Sequence, residues 1–193
     1  MCRPSENKIG EITVKPVVFN LIAIVVSIAL IAGAVIGTAL RPHAIPDGRY
    51  DLAWILIGLV VFFSLHELIH AFALMRSAHL PWKAFRFGIL WHLMAIYCHC
   101  RHPVTIRAQR VCALAPLMTL GLLSVLATLA YPAIWLAILT STHLSGCIGD
   151  VWMFKCSRRF SEDCLYVDFK DKFGGEVFEP PIAGASMEPF ANG

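Results

Sequence analysis

Four long apolar segments constrain the fold of this chain more than any other feature of its sequence. They lie at about residues 17–40, 52–75, 111–130 and 133–154. Each holds roughly 20 residues or more, the length of a helix that crosses a ~30 Å hydrocarbon core. Hydrophobic residues make up 58% of the chain and charged residues only 15%, whereas about a quarter of a soluble domain is charged. The pattern predicts an all-α membrane protein with four transmembrane helices.

The first apolar segment has an alternative interpretation as a cleaved signal peptide. Its apolar core, at about residues 17–40, is longer than the roughly 7–15 residues of a signal-peptide core. A transmembrane helix is therefore the preferred interpretation.

The positions of the basic residues predict the orientation of the helices. Of the 16 Lys and Arg residues, only Arg41 and Arg49 lie between the first two helices. The others lie before the first helix, between the second and third, and after the fourth. The positive-inside rule then places both termini in the cytoplasm, in a bacterial inner or plasma membrane. Because this topology accounts for the basic residues, lipid is the expected partner and nucleic acid is not.

The predicted topology divides the chain into a cytoplasmic tail at 1–16, a membrane domain at 17–154 and a second cytoplasmic tail at 155–193. Aromatic and β-branched residues in "KAFRFGIL" and "MAIYCHCRHPVTI" predict short strands, or a hairpin, between the second and third helices. The segment "CLYVDFKDKFGGEVFEP" predicts another hairpin, with Gly174 and Gly175 at or near its turn. The proline-rich end of the chain is expected to be disordered.

The second apolar segment contains the motif His66-Glu67-Leu68-Ile69-His70. On a helix, residues four apart share one face, so His66 and His70 could bind one zinc ion. Zinc lowers the pKa of a coordinated water toward ~7, so Glu67 could act as its general base. A solvated helix face is the alternative, but ionisable residues at membrane depth cost roughly 2.5 kcal/mol or more and normally face a protein interior. Metal binding is therefore predicted.

A catalytic zinc site needs a third protein ligand, and Asp150 in the fourth helix is the candidate. His70 lies six residues before Arg76, and Asp150 lies five residues before Lys155. Both side chains should therefore lie ~8–9 Å from the cytoplasmic surface, at 1.5 Å per residue. Asp150 could instead pair with cations of the tail. His143, two turns before Asp150, could support the site, act as an alternative ligand, or make a polar helix contact.

A second group of candidate ligands lies between the second and third helices: Cys98, His99, Cys100 and His102. Their spacing does not match the pairs of closed zinc sites, so substrate contact or a structural role is favoured over a separate metal. The chain has 7 cysteines. In the predicted topology they face or border the cytoplasm, so free thiols are expected rather than disulfides.

These motifs resemble two groups of membrane proteins. A histidine motif on one membrane helix and an aspartate on a later one are similar to intramembrane zinc proteases of the site-two class, although Asp150 lacks the preceding leucine and following glycine of that class. A closer resemblance is to a bacterial family of small membrane proteins described as putative zincin peptidases. It rests on four segments: "HELIHAF", "AIYCHC", "ALAP" and "IGD".

The resemblance implies a membrane-embedded zinc metallopeptidase that hydrolyses peptide bonds of a membrane or membrane-proximal protein. His66, His70 and Asp150 would bind Zn²⁺, and Glu67 would be catalytic. The likeness to site-two proteases further implies that a strand within residues 84–105 pairs with an extended substrate. The alternatives are a non-hydrolytic metal-binding or transport protein, or a pseudoenzyme. The sequence indicates neither the substrate nor the oligomeric state.

Overall fold

A computed structural model describes residues 7–13, 16–40, 51–90, 95–131, 133–169 and 174–180. Residues 41–50, between the first two predicted helices, lie outside these ranges, as do residues 181–193 of the proline-rich end for which disorder was predicted. The described part is mostly helical, with two small antiparallel sheets.

Six helices account for most of the described residues. Helices α3 and α4 are joined by a π-helical segment, Leu117–Gly121, and α5 and α6 meet at Cys147. The helices are α1 (Pro16–Ala39), α2 (Asp51–Ser77), α3 (Ile106–Pro116), α4 (Leu122–Ala130), α5 (Ile134–Gly146) and α6 (Ile148–Ser157).

Three helical stretches within the described residues are long and apolar enough to cross a membrane: Leu52–Ser77, Ile106–Ala130 and Ile134–Ser157. They correspond to the second, third and fourth predicted spans. The first predicted span corresponds to α1, which packs along α5. Its described apolar stretch, Ile24–Gly37, is shorter than a full span.

Helix α3 begins at Ile106, five residues before the predicted start of the third span. Thr105 caps it, because its hydroxyl accepts a hydrogen bond from Ala108 N at 3.2 Å. The predicted span did not include this first turn of α3, because the turn contains the charged residues Arg107 and Arg110. Arg110 donates to Ser157 O at 3.1 Å and to Phe160 O at 2.9 Å, and thereby ties the start of α3 to the end of α6.

The larger sheet joins segments that are far apart in the sequence. Its strand order is β1-β6-β5-β4, and all neighbours are antiparallel. The predicted tail hairpin is β5 and β6, but Gly174 and Gly175 begin β6. The four strands are β1 (Lys8–Thr13), β4 (Val104–Thr105), β5 (Leu165–Asp168) and β6 (Gly174–Phe178).

Strand β1 was not predicted, because the sequence before the first helix was interpreted as a polar tail. Its Ile12 is fully buried. Gly174 is needed beside it, since its φ is +114° and a Cβ there would lie 2.0 Å from Ile12 O. A single buried residue in a short polar segment gives too weak an alternation to indicate a strand.

The smaller sheet is the hairpin predicted between the second and third spans. Strand β2 (Phe85–Leu90) pairs with β3 (Ala95–Cys100) in antiparallel register, with Phe87 opposite Cys98. The hairpin follows α2, and β3 packs against α2. The core beneath the two sheets includes Ile12, Ile106, Tyr166 and Val177, together with Ala71 and Leu74 of α2. The sheets are therefore built onto the end of α2 that carries His70.

Candidate metal centre

Helix α2 places His66 and His70 one turn apart on one face. Their Nε2 atoms lie 3.1 Å from each other. Asp150, from the first turn of α6, has Oδ2 3.2 Å from His66 Nε2 and Oδ1 3.4 Å from His70 Nε2. The structure thus brings together the three side chains that spacing and depth selected as ligands. All their ligand atoms lie within 4.8 Å of one another.

Each histidine has a second partner on the other side of its ring. His70 Nδ1 lies 3.0 Å from the carbonyl oxygen of Cys112. A carbonyl only accepts, so His70 carries a proton on Nδ1, and its neutral imidazole then presents a lone pair at Nε2. His66 Nδ1 lies 3.2 Å from His143 Nε2. When His66 donates there, its Nε2 also presents a lone pair toward Asp150.

This arrangement fits a cation. Two imidazole lone pairs and a carboxylate then point at one location, which is unfavourable unless a positive charge lies between them. Asp150 Oδ2 is buried and makes no hydrogen bond within the described residues. Separations of 3.1–3.4 Å match the roughly 3.3 Å between ligand atoms of a tetrahedral ion with ~2.0–2.1 Å bonds. Two imidazoles and a carboxylate are a donor set found in catalytic zinc sites.

Glu67 lies beside this cluster but is held by the hairpin. Its Oε2 accepts a hydrogen bond from the backbone N–H of Cys98 at 2.7 Å. Two groups of side chains among the described residues could hold a metal ion, His66–His70–Asp150 and His66–His143–Cys147. Glu67 belongs to neither of them. A carboxylate next to the cluster, oriented by a strand, is placed for proton transfer rather than for metal binding.

A second carboxylate, that of Asp168 in the larger sheet, also binds strand β3. Asp168 Oδ2 accepts from the N–H of Cys100 at 3.0 Å and lies 3.9 Å from His99 Nδ1. Burial raises the pKa of the Asp168 carboxyl, while the Cys100 N–H, His99 and Tyr166 oppose that shift. Two consecutive outward N–H groups of β3 are thus bound by carboxylates of α2 and β5.

The cysteines of β3 do not enter either candidate metal group in the described part of the chain. Burial raises the pKa of the Cys100 thiol to about 12 and also raises the pKa of the Cys98 thiol. Both thiols are therefore protonated at neutral pH. Their contribution to the site is the backbone N–H, which no residue-type pattern could have indicated.

Two further groups near the cluster were not predicted from the sequence. The Cys112 carbonyl supports His70 through the main chain, so its residue type carries no signal. The sequence predicted that Cys147 borders the cytoplasm but did not predict that it lies near His66. In the structure it belongs to the candidate ligand group formed with His66 and His143. The spacing could have indicated this position, because Cys147 follows His143 by four residues and therefore lies on the same helix face.

The fold and the cluster define a helical protein with membrane-length helices and a His-His-Asp site suited to zinc. The sequence model of a family described as putative zincin peptidase matches residues 59–165. This match covers more than half of the chain, so the protein belongs to that family. It includes α2 from residue 59 onward, the hairpin, Asp150 and the first residue of β5. No curated protein and no solved structure shows significant similarity to the chain.

Proposed function

We propose that the protein is a membrane-embedded zinc metallopeptidase. The observation that carries the proposal is the convergence of His66 Nε2, His70 Nε2 and Asp150 within 3.1–3.4 Å, with the Glu67 carboxylate beside them. His66, His70 and Asp150 would hold the ion. When bound, zinc supplies Lewis-acid activation of a water molecule and of the scissile carbonyl.

The residues around the ion would then transfer the proton and orient the reacting groups. Glu67 would take a proton from the attacking water and deliver it to the leaving amine. Cys98 N–H would hold Glu67 at the correct side of the cluster, and the Cys112 carbonyl would fix the tautomer of His70. These contacts preorganise the site, because Glu67 and His70 are each oriented by a backbone atom of a neighbouring element.

The substrate we propose is an extended peptide at the edge of β3. A helical substrate hides its carbonyls in intrahelical hydrogen bonds, whereas an extended one can pair with a strand edge. The outward N–H groups of Cys98 and Cys100 bind the Glu67 and Asp168 carboxylates, so an extended substrate would pair with the outward carbonyl groups of that edge. The same argument agrees with the resemblance to site-two proteases, which rests on the histidine motif and Asp150.

The membrane arrangement belongs to the same proposal. We place the site at the cytoplasmic side of a bacterial inner membrane, with four spans and both termini inside, from the distribution of Lys and Arg. A cation path is less favoured, because residues 52–63 of α2 carry no side chain that suits a metal.

The experiment that tests hydrolysis compares wild type with Glu67→Gln in detergent and in proteoliposomes containing membrane proteins. We expect about one zinc per chain in both, and new substrate N-termini, found by mass spectrometry, only with wild type. Removing the general base should reduce cleavage roughly 10²–10⁴-fold. Chelation of the metal should abolish it, and added zinc should restore it.

The outcomes separate the candidate functions. A folded wild type without metal would contradict the zinc site. Metal in both proteins with no Glu67-dependent cleavage of membrane proteins would favour the pseudoenzyme. Zinc uptake into sealed proteoliposomes, unaffected by Glu67→Gln, would favour transport.

A further inference from the structure

A second group of candidate ligands lies behind His66, on the side of its ring away from Asp150. His143 in α5 has Nε2 3.2 Å from His66 Nδ1. Cys147, where α5 meets α6, has Sγ 3.8 Å from the same His143 atom. His66, His143 and Cys147 are respectively 9%, 2% and 1% exposed. Their ligand atoms all lie within 4.8 Å of one another.

The separations match those of a metal site with one sulfur ligand. Nitrogen bonds of ~2.0–2.1 Å and a sulfur bond of ~2.3 Å place tetrahedral ligand atoms roughly 3.3–3.6 Å apart. The measured contacts at His143 Nε2 are 3.2 and 3.8 Å. His143 and Cys147 are four residues apart, the spacing that brings two ligands to one helix face. Phe62, one turn before His66, packs edge-on against the His143 ring and shields the group.

We propose that His66 Nδ1, His143 Nε2 and Cys147 Sγ form a second position for a thiophilic cation such as Zn²⁺ or Cd²⁺. We call it the inner position, and the His66–His70–Asp150 cluster the outer position. The inner position does not depend on the chain being a peptidase, because neither Glu67 nor a substrate takes part in it.

The two positions exclude each other because they share His66. A neutral imidazole has one lone pair, so it can give a metal only one of its nitrogens. An ion in the outer position uses Nε2 and leaves the proton on Nδ1. An ion in the inner position uses Nδ1 and leaves the proton on Nε2, so the outer position keeps only His70 and Asp150 as ligands. The inner position therefore holds the metal in an inactive state.

The donor sets also distinguish the two positions by metal type. The thiolate of Cys147 favours soft and borderline cations, whereas the Asp150 carboxylate accommodates harder ones. Binding at the inner position displaces the thiol proton. Cations softer than Zn²⁺, such as Cd²⁺, are consequently inhibitors of whatever the outer position does.

The test uses Co²⁺ as a probe, because a thiolate ligand gives a charge-transfer band in the near ultraviolet that nitrogen and oxygen ligands do not. His70→Ala removes an outer ligand and keeps all three inner ones. We expect this variant, stripped of metal and titrated with Co²⁺, to bind about one equivalent and to show the band. Adding Cys147→Ser should abolish the band and weaken Co²⁺ binding at least tenfold.

Cys112→Ser is the matched control in the same background. Cys112 is also buried and its Sγ lies 3.4 Å from His70 Nδ1, but it belongs to neither group. It should leave the band intact. Asp150→Asn repeats the test from α6, so that a folding defect of one variant does not decide the result. No band in either outer-position variant, or a band that survives Cys147→Ser, would overturn the inner position. Neither outcome bears on Glu67-dependent cleavage.

Discussion

At the scale of single residues, the two histidines of α2 are oriented by different kinds of acceptor. The Cys112 carbonyl is a backbone group and cannot be changed by substitution. His143 is a side chain 3.2 Å from His66, and it fixes His66 only while its own Nε2 is unprotonated. His66 is therefore the ligand whose orientation can be altered by mutation, and His143 is the residue through which to alter it.

The first residue-scale prediction follows from that contact. His143→Ala leaves the His66 N–H without its acceptor in a buried site, and we expect zinc to bind roughly 10–100-fold more weakly. His143→Gln, which retains a carbonyl acceptor, should recover part of the affinity. Chelator competition measures both. His99→Ala is the control, since His99 belongs to neither ligand group. Equal affinity for wild type and His143→Ala would contradict the role of His143.

At the scale of secondary-structure elements, the β2–β3 hairpin contacts Glu67 through one edge of β3. In an antiparallel pair, residues alternate between hydrogen-bonded and non-hydrogen-bonded pairs. Because Cys98 directs its N–H to Glu67, Cys98 and Phe87 form a non-hydrogen-bonded pair. The Phe87 N–H therefore points away from β3 on the opposite edge. The two residues offer a matched pair of sites for proline substitution.

Cys98→Pro removes the N–H that holds Glu67 and spares the β2–β3 ladder. We expect kcat for peptide cleavage to fall about 10²-fold, the lower end of what a positioned acid–base group contributes. Phe87→Pro removes the equivalent N–H from the other edge and should leave kcat near that of wild type. Cys98→Ala, which keeps the backbone donor, separates the loss of the N–H from the loss of the thiol. Equal losses for the two prolines would exclude a special role for this edge.

Helix packing provides another element-scale prediction. A Cβ at Gly58 in α2 would lie 2.2 Å from Leu139 Cδ1 of α5, whereas a Cβ at Gly37 in α1 would meet nothing within 4 Å. Gly58→Ala should therefore lower the free energy of unfolding by ~1–3 kcal/mol through overpacking. Gly37→Ala should be neutral or slightly stabilising. Thermal unfolding in detergent measures both, and Leu139→Ala should relieve the Gly58→Ala defect if the clash is its cause.

At the scale of the whole molecule, the larger sheet determines which segments share a side of the membrane. Strands β1 and β6 are hydrogen-bonded, so the residues before α1 and after α6 must lie on one side. An even number of membrane crossings must therefore separate them. Three described stretches are long enough to cross, so we infer that α1 is the fourth.

Epitope tags placed before β1 and after β6 test this inference. Protease protection in spheroplasts and in inverted vesicles should show both tags on the same side, and the distribution of basic residues predicts that this side is the cytoplasm. Tags on opposite sides would mean an odd number of crossings and would contradict the β1–β6 pairing. A Gly175→Pro variant, which disrupts β6, should leave the tag positions unchanged, because the helices fix them.

The sequence predicted those parts of the fold that depend on local patterns. Apolar blocks identified three membrane-length helices, and turn and strand residues identified both hairpins. The spacing of His66 and His70, with the depth of Asp150, selected side chains that do converge. The hydrogen bonds of Cys98 N–H and the Cys112 carbonyl could not be predicted, because every residue has the same backbone groups. The β1–β6 pairing was missed for another reason, since it depends on residues far apart in the sequence.

The β1–β6 pairing also constrains the order of assembly during synthesis. Strand β1 is made before any membrane helix, yet its hydrogen-bonding partner β6 is made after the last one. The metal cluster has the same dependence, because His66 and His70 precede Asp150 by two membrane segments. A partly synthesised chain therefore has neither a closed sheet nor a complete set of ligands. The site can therefore be assembled only after the last helix has been synthesised.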